Sequence, residues 1–176
     1  TIGMSSDKWY WEVYVEDDQY HYYGVQDGGV SATGYTEKAV GLETDGEGDI
    51  HEDDSNSGKD SFDMDNGDVI GVAVDATNKK IWWSKNGQWY SADDASPATI
   101  NISEVEAGNQ GYSFSSRSPS TGFFVPFIGN YSHGTSIINF GQEGTFGGNK
   151  TATNGDLVIQ FPTNNSSSAI IRIGDA

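Results

Sequence analysis

Residues 67–90 read GDVIGVAVDATNKKIWWSKNGQWY, and this stretch decides the fold. Val69-Ile70-Gly71-Val72-Ala73-Val74 is a short apolar run, rich in β-branched residues and bounded by Asp68 and Asp75. Such a run predicts a strand buried on both faces. Asp75-Ala76-Thr77-Asn78 turns the chain, and Lys80-Ile81-Trp82-Trp83-Ser84-Lys85 brings it back as a second strand. Asn86-Gly87 follows, a strong hairpin signal, because a type I′ turn needs positive φ at both central residues. Gln88-Trp89-Tyr90 opens a third strand, so an antiparallel meander is legible from residues alone.

Outward from this centre the same period recurs. Trp9, Trp11, Val13 and Val15 alternate with Tyr10, Glu12, Tyr14 and Glu16, which predicts a strand with the first set facing the core, preceded by a small polar lead-in. Further strands are expected over residues 20–26 and 35–44, the latter centred on Val40-Gly41-Leu42. Phe123–Gly129 and Thr135–Phe140 read as the two arms of a hairpin, and Leu157–Phe161 as one more strand, stopped by Pro162. Residues 91–122 form a long polar loop with a short strand at Thr99–Ile102; loops longer than about 15 residues are usually functional or mobile. Residues 163–176 divide from the body at 1–162 as a polar linker ending in Ile170-Ile171-Arg172-Ile173, a terminal strand available to a neighbouring domain or subunit.

Composition narrows the function classes. A chain of 176 residues is one domain's worth, long enough for a full sandwich core. Its 23 glycines suit a turn-rich β protein, and apolar residues never recur at helical spacing, so little or no α-helix is expected. No apolar run approaches about 18 residues, which argues against membrane insertion. The net charge of −17 argues against a nucleic-acid partner, which needs a basic footprint to displace counterions from phosphates. With no cysteine, zinc–thiolate sites and thiol catalysis are excluded.

The central meander, a GDVIGVAVD strand followed by a strand ending in aromatic-x-Lys-Asn-Gly, resembles that of SPRY domains. Lys8-Trp9-Tyr10-Trp11-Glu12-Val13 resembles the family's opening strand, and Phe124-Val125-Pro126-Phe127 with Ile138-Asn139-Phe140-Gly141-Gln142 its closing pair. The resemblance runs over residues 5–161. It implies a concanavalin A-like jelly roll, an all-β sandwich of two antiparallel sheets, without catalytic activity and used to bind other proteins. It also implies a short turn, a strand and a variable loop over residues 43–68, with Ile50 and Phe62 pointing inward. Thr-Ile-Gly-Met-Ser-Ser at residues 1–6 and Phe-Gly-Gly-Asn-Lys-Thr-Ala at 146–152 resemble SPRY-type modules of tailed-phage virion proteins. That likeness implies a virion-surface or extracellular location, in a tail fibre, baseplate or capsid decoration.

Several constellations bear on chemistry. Glu43-x-Asp45-x-Glu47 matches the alternating carboxylates of laminarinase-like glycosidases, where a retaining mechanism needs two carboxyls about 5 Å apart. Here Gly46 and Gly48 stand where packing residues belong, which points instead to a turn that splays the carboxylates into water. Residues 43–68 hold eleven acidic side chains. Within them Asp54, Asn56, Asp60, Asp63 and Asp65 offer oxygens at alternate positions, as a calcium loop would, without the full EF-hand pattern. His21, His51 and His133 lie on separate segments, none with a partner at metal-ligand spacing. Adjacent Trp82 and Trp83 must point to opposite faces of a strand, as must Tyr22 and Tyr23. Tyr22, Trp83, Tyr131 and His133 are therefore the candidate ligand contacts. The expectation is a non-catalytic module binding a protein or glycan through segments 43–66, 91–122 and 130–134, with no cofactor beyond a candidate calcium ion. Assembly into homo-oligomers or with flanking domains is the alternative, and glycoside hydrolysis a further one.

Overall fold

The computed structural model describes residues 2–17, 20–29, 38–44, 48–130, 134–140, 157–161 and 170–173, the last two segments through backbone pairing. In chain order the elements are β1 (Lys8–Val15), β2 (His21–Asp27), β3 (Ala39–Glu43), β4 (Asp49–Glu52), β5 (Ser55–Asp60), β6 (Val69–Asp75), β7 (Lys80–Lys85) and β8 (Gln88–Tyr90). There follow β9 (Thr99–Ile100), α1 (Ile102–Ala107), β10 (Tyr112–Ser113), β11 (Phe124–Asn130), β12 (Gly134–Asn139), β13 (Leu157–Phe161) and β14 (Ile170–Ile173). They form two antiparallel sheets. One runs β14-β13-β12-β1-β6-β7-β8-β9, with β10 also on β7, and the other β11-β2-β3-β4-β5.

The central meander forms as its residues dictate. β6 is buried on both faces apart from half-buried Ala73. Asn86 and Gly87 both have positive φ, 50° and 82°, as the I′ turn requires. The Asn86 side chain also accepts from Val69 N–H and donates to Asp68, tying both ends of the hairpin together. Register then builds the core in rows: Trp11 lies opposite Val72, and Val72 opposite Trp83. These three pack with Tyr23, Val25, Val40, Leu42, Ile50 and Phe62 from the facing sheet side, so the inward anchors Ile50 and Phe62 are as expected. The next row, Tyr10–Ala73–Trp82, points away from that core.

Four local expectations change. Phe124–Asn130 and Gly134–Asn139 are not a hairpin: β11 pairs with β2 and β12 with β1, so the chain crosses between sheets here. Both strands carry apolar residues at core positions, and sequence alone does not say which sheet each joins. The lead-in is not merely polar, since fully buried Met4 bridges Phe124. Ile102 begins a helical turn instead of ending a strand. Asn101 precedes it in extended conformation, its backbone carbonyl accepting from Glu104 N–H, and Gly108 stops it in the left-handed conformation. Six residues are too few to show helical periodicity. Finally, β14 pairs with β13 of the same chain, so the terminal strand is not left unpaired.

Candidate functional site

The outer face of the larger sheet carries an aromatic groove. Trp82 is almost fully buried there, although it points away from the core, because the segment after α1 lies over it. Its indole nitrogen donates to Asn109 O at 2.6 Å. Gly111 passes so close that a Cβ would stand 2.3 Å from the Trp82 ring. Lys80 donates to Gly108 O and Lys8 to Glu106 O, placing two cations at the carbonyl end of α1, where the helix dipole favours them. The helix is thus clamped to the sheet, with Val105 as its buried residue.

Between α1 and β1 lies an open cavity of about 400 Å³, walled by Trp9, Tyr10, Trp89, Ile102 and Val105 over a floor at Ala73. Lys8 and Glu106 stand at its rim. Tyr10, Ile102 and Trp9 are 53%, 49% and 37% exposed, large apolar surfaces left in water. The Tyr10 and Trp89 rings meet at 6.0 Å, tilted by 53°, which fixes their relative placement. Tyr10 donates to Glu12 at 2.7 Å. Burial of the hydroxyl and that carboxylate push its pKa above the ordinary phenol range, so it stays a neutral donor.

The smaller sheet presents a different face. Tyr22 points away from the core and is buried, its hydroxyl donating to Glu43 Oε1 at 2.9 Å and its ring meeting His51 edge-on. Glu43 Oε2 lies 3.0 Å from His51 Nε2. On β4, Asp49 accepts from Asn56 Nδ2 at 2.6 Å. Glu43, Asp49 and His51 have ligand atoms all within 4.8 Å of one another.

The expected contacts fare unevenly. Trp83 is a core residue, its ring enclosed between the sheets and its nitrogen donating to Tyr23 O at 2.8 Å, so it offers no ligand surface. Tyr22 is likewise enclosed, held by Glu43 and His51. Tyr131 and His133 lie outside the described residues. So do Asp45 and Glu47; Glu43 ends β3, and Gly48 turns the chain in the left-handed region. The five calcium candidates do not converge. Asn56 and Asp60 sit on a strand, Asp54 lies in the β4–β5 turn, Asp65 pairs with Lys85, and Asp63 offers Lys85 its carbonyl. The reading of the histidines also needs correction, because His51 does have carboxylate neighbours. The signal was Asp49-x-His51, two strand residues on one face beside Glu43. Trp9 was expected to face the core, yet its indole turns back to Ser6 O at 2.7 Å and leaves the ring at the groove. Ile102 carried no signal of its own, since only the folded insertion brings it to β1, and Trp89 meets Tyr10 through the order β1-β6-β7-β8 of the sheet.

No protein-family model matches the chain, and no curated protein sequence matches it. Among solved structures the fold is similar to the crystal structure of the SPRY domain of human HERC1. The TM-score is 0.58 at 16% identity, spanning 81% of this chain and 80% of that one. The likeness shows an all-β, two-sheet antiparallel sandwich of the SPRY, concanavalin A-like kind.

Proposed function

We propose that the chain is a non-catalytic recognition module that seats a segment of a partner protein in the aromatic groove between β1 and α1. The observation that carries this is the exposure of Trp9, Tyr10 and Ile102 around one cavity whose walls are held from behind by the Trp82–Asn109 bond and the two lysines. Exposed aromatic side chains on a rigid support make binding hot spots, because little side-chain freedom is lost when a partner covers them. The SPRY-type fold supports a protein ligand. The test is selection of binders from displayed peptides, with a glycan array in parallel. Selected peptides are expected to lose binding to Tyr10→Ala and Ile102→Ser variants. Peptides that bind these variants unchanged, or binders found on the array alone, contradict the reading.

The setting we propose is a virion surface, where the module contacts a host molecule; the resemblance of residues 1–6 and 146–152 to phage virion modules supports it. The segments flanking this chain in its full-length gene product test that setting, fibre, baseplate or decoration sequences being expected. Assembly is the second reading, favoured by the position of β14 at the outer end of the larger sheet, where a terminal strand offers an edge. Size-exclusion chromatography with and without residues 163–176 distinguishes it, since an assembly edge predicts loss of the oligomer.

A further inference from the structure

We propose that Glu43, Asp49 and His51 form a binding site for a first-row transition-metal divalent cation such as zinc, on the smaller sheet and separate from the groove. The three come from paired strands, with Leu42 opposite Ile50 and Gly41 opposite His51. The same register carried on by one residue sets Glu43 opposite Asp49 and leaves His51 diagonal to it on the same face. Like charges directly across a strand pair are destabilising, and a carboxylate as buried as Glu43 needs a counter-charge. Among the described residues no lysine or arginine pairs with either carboxylate, since Lys85 and Arg117 go to Asp65, Asp68, Glu52 and Asp53; the basic side chain against Glu43 is His51 itself, and none pairs with Asp49. A cation between them supplies the missing charge.

The geometry fits. His51 Nε2 and Glu43 Oε2 stand 3.0 Å apart, so the pair need open by only a few tenths of an ångström to reach the roughly 3.4 Å between tetrahedral ligands that each lie about 2.1 Å from one ion. Asp49 belongs to the same group of ligand atoms, within 4.8 Å of one another. Each carboxylate is held by a neutral donor on its other side, Tyr22 on Glu43 and Asn56 on Asp49. Outer hydrogen bonds of this kind orient metal ligands. His51 Nδ1 is buried with no hydrogen-bond partner among the described residues, so the outer bond that usually orients a ligating imidazole is not among these contacts and the ring is placed by Glu43 and Tyr22 instead. One imidazole and two carboxylates suit zinc, cobalt, nickel or manganese, whereas calcium takes six to eight oxygens. Three protein ligands leave a fourth tetrahedral position for water or a ligand atom.

The test titrates the untagged chain with zinc and, for its visible spectrum, with cobalt(II), calcium serving as the control. Saturable binding of one ion, cobalt bands of tetrahedral type and a zinc-raised thermal midpoint are expected. His51→Gln should abolish them, and Tyr22→Phe, which keeps all three ligands, should weaken binding about tenfold or more. Asp63→Asn and the groove variant Tyr10→Ala should bind normally, so the outcome is independent of the groove reading. Absence of zinc binding, or equal binding by His51→Gln, overturns the proposal. Should that variant fail to fold, the His51 ring resonances of the unmodified chain decide instead: zinc must shift or broaden them, and unmoved resonances overturn the site.

Discussion

The outward faces of the two sheets are built on opposite principles. On the larger sheet Trp9, Tyr10 and Ile102 leave apolar surface in water, while hydrogen bonds are made behind them, at Trp82 and the lysines clamping α1. On the smaller sheet buried Tyr22 and Glu43 and half-buried His51 and Asp49 turn polar atoms toward one another. A face that keeps apolar rings exposed on a fixed support is ready to exchange water for a partner's surface. A face whose acidic groups converge is ready for a small cation. Burial alone does not reveal this difference; the destinations of the polar atoms do.

The largest expected effect breaks the support of the first face. Trp82→Ala should cost about 3–5 kcal/mol in urea denaturation, since it removes a buried ring and the bond to Asn109. Groove binding should go with it. Tyr10→Ala sharpens the contrast: a loss of about 2 kcal/mol or more in binding a selected peptide, with a smaller loss of about 1 kcal/mol in stability because the ring is half exposed. Gly111→Ala should destabilise by about 1–3 kcal/mol by pushing the insertion off Trp82. The Glu43–His51 side should keep its spectroscopic signature in all three variants.

The smallest effect asks how far the faces are coupled. Glu52 at the end of β4 accepts from Tyr112, Ser116 and Arg117, and Arg117 also reaches Asp53, so the insertion is tied to the smaller sheet. The Lys38 N–H, together with Arg117, holds the Asp53 carboxyl below its ordinary range. Asp68 is pushed up by burial, but the Asp65 N–H, Lys85 and Asn86 outweigh that and lower it. Asp27 is likewise pushed up by burial and lowered further by Ser120 and Gly29 N–H groups. Folded-state values below the unfolded ones stabilise above the unfolded value of about 3.9, and that stabilisation is lost as pH falls through the folded values. Thermal midpoints should therefore hold through neutral pH and fall below about pH 4. Arg117→Ala should flatten part of that acid limb, and an unchanged limb would show that the Asp53 contact contributes nothing.

Much of the fold was legible because strand period and turn chemistry are local. Val69–Val74, Asn86-Gly87 and the Trp11–Val15 row carry their own instructions. The β11–β12 crossover was not legible, since pairing partners are a long-range choice between two apolar surfaces. The site was legible only in part. Residues 91–122 read as a long polar insertion, and that segment supplies the α1 wall of the proposed groove. The pairing of Ile102 with Tyr10, or of Glu43 with His51, depends on closure of the chain over many residues. Alternation says that Trp82 and Trp83 face opposite ways but not which of them faces the core; Trp83 does, and outward-pointing Trp82 is still enclosed because the segment after α1 covers it.

The most direct measurement uses the five tryptophans as reporters. Their indole N–H resonances should be followed while a selected peptide is added. The groove account predicts that Trp9 and Trp89 move together and that Trp83, bonded to Tyr23 O between the sheets, stays in place. Bound peptide that leaves Trp9 and Trp89 unmoved would contradict it.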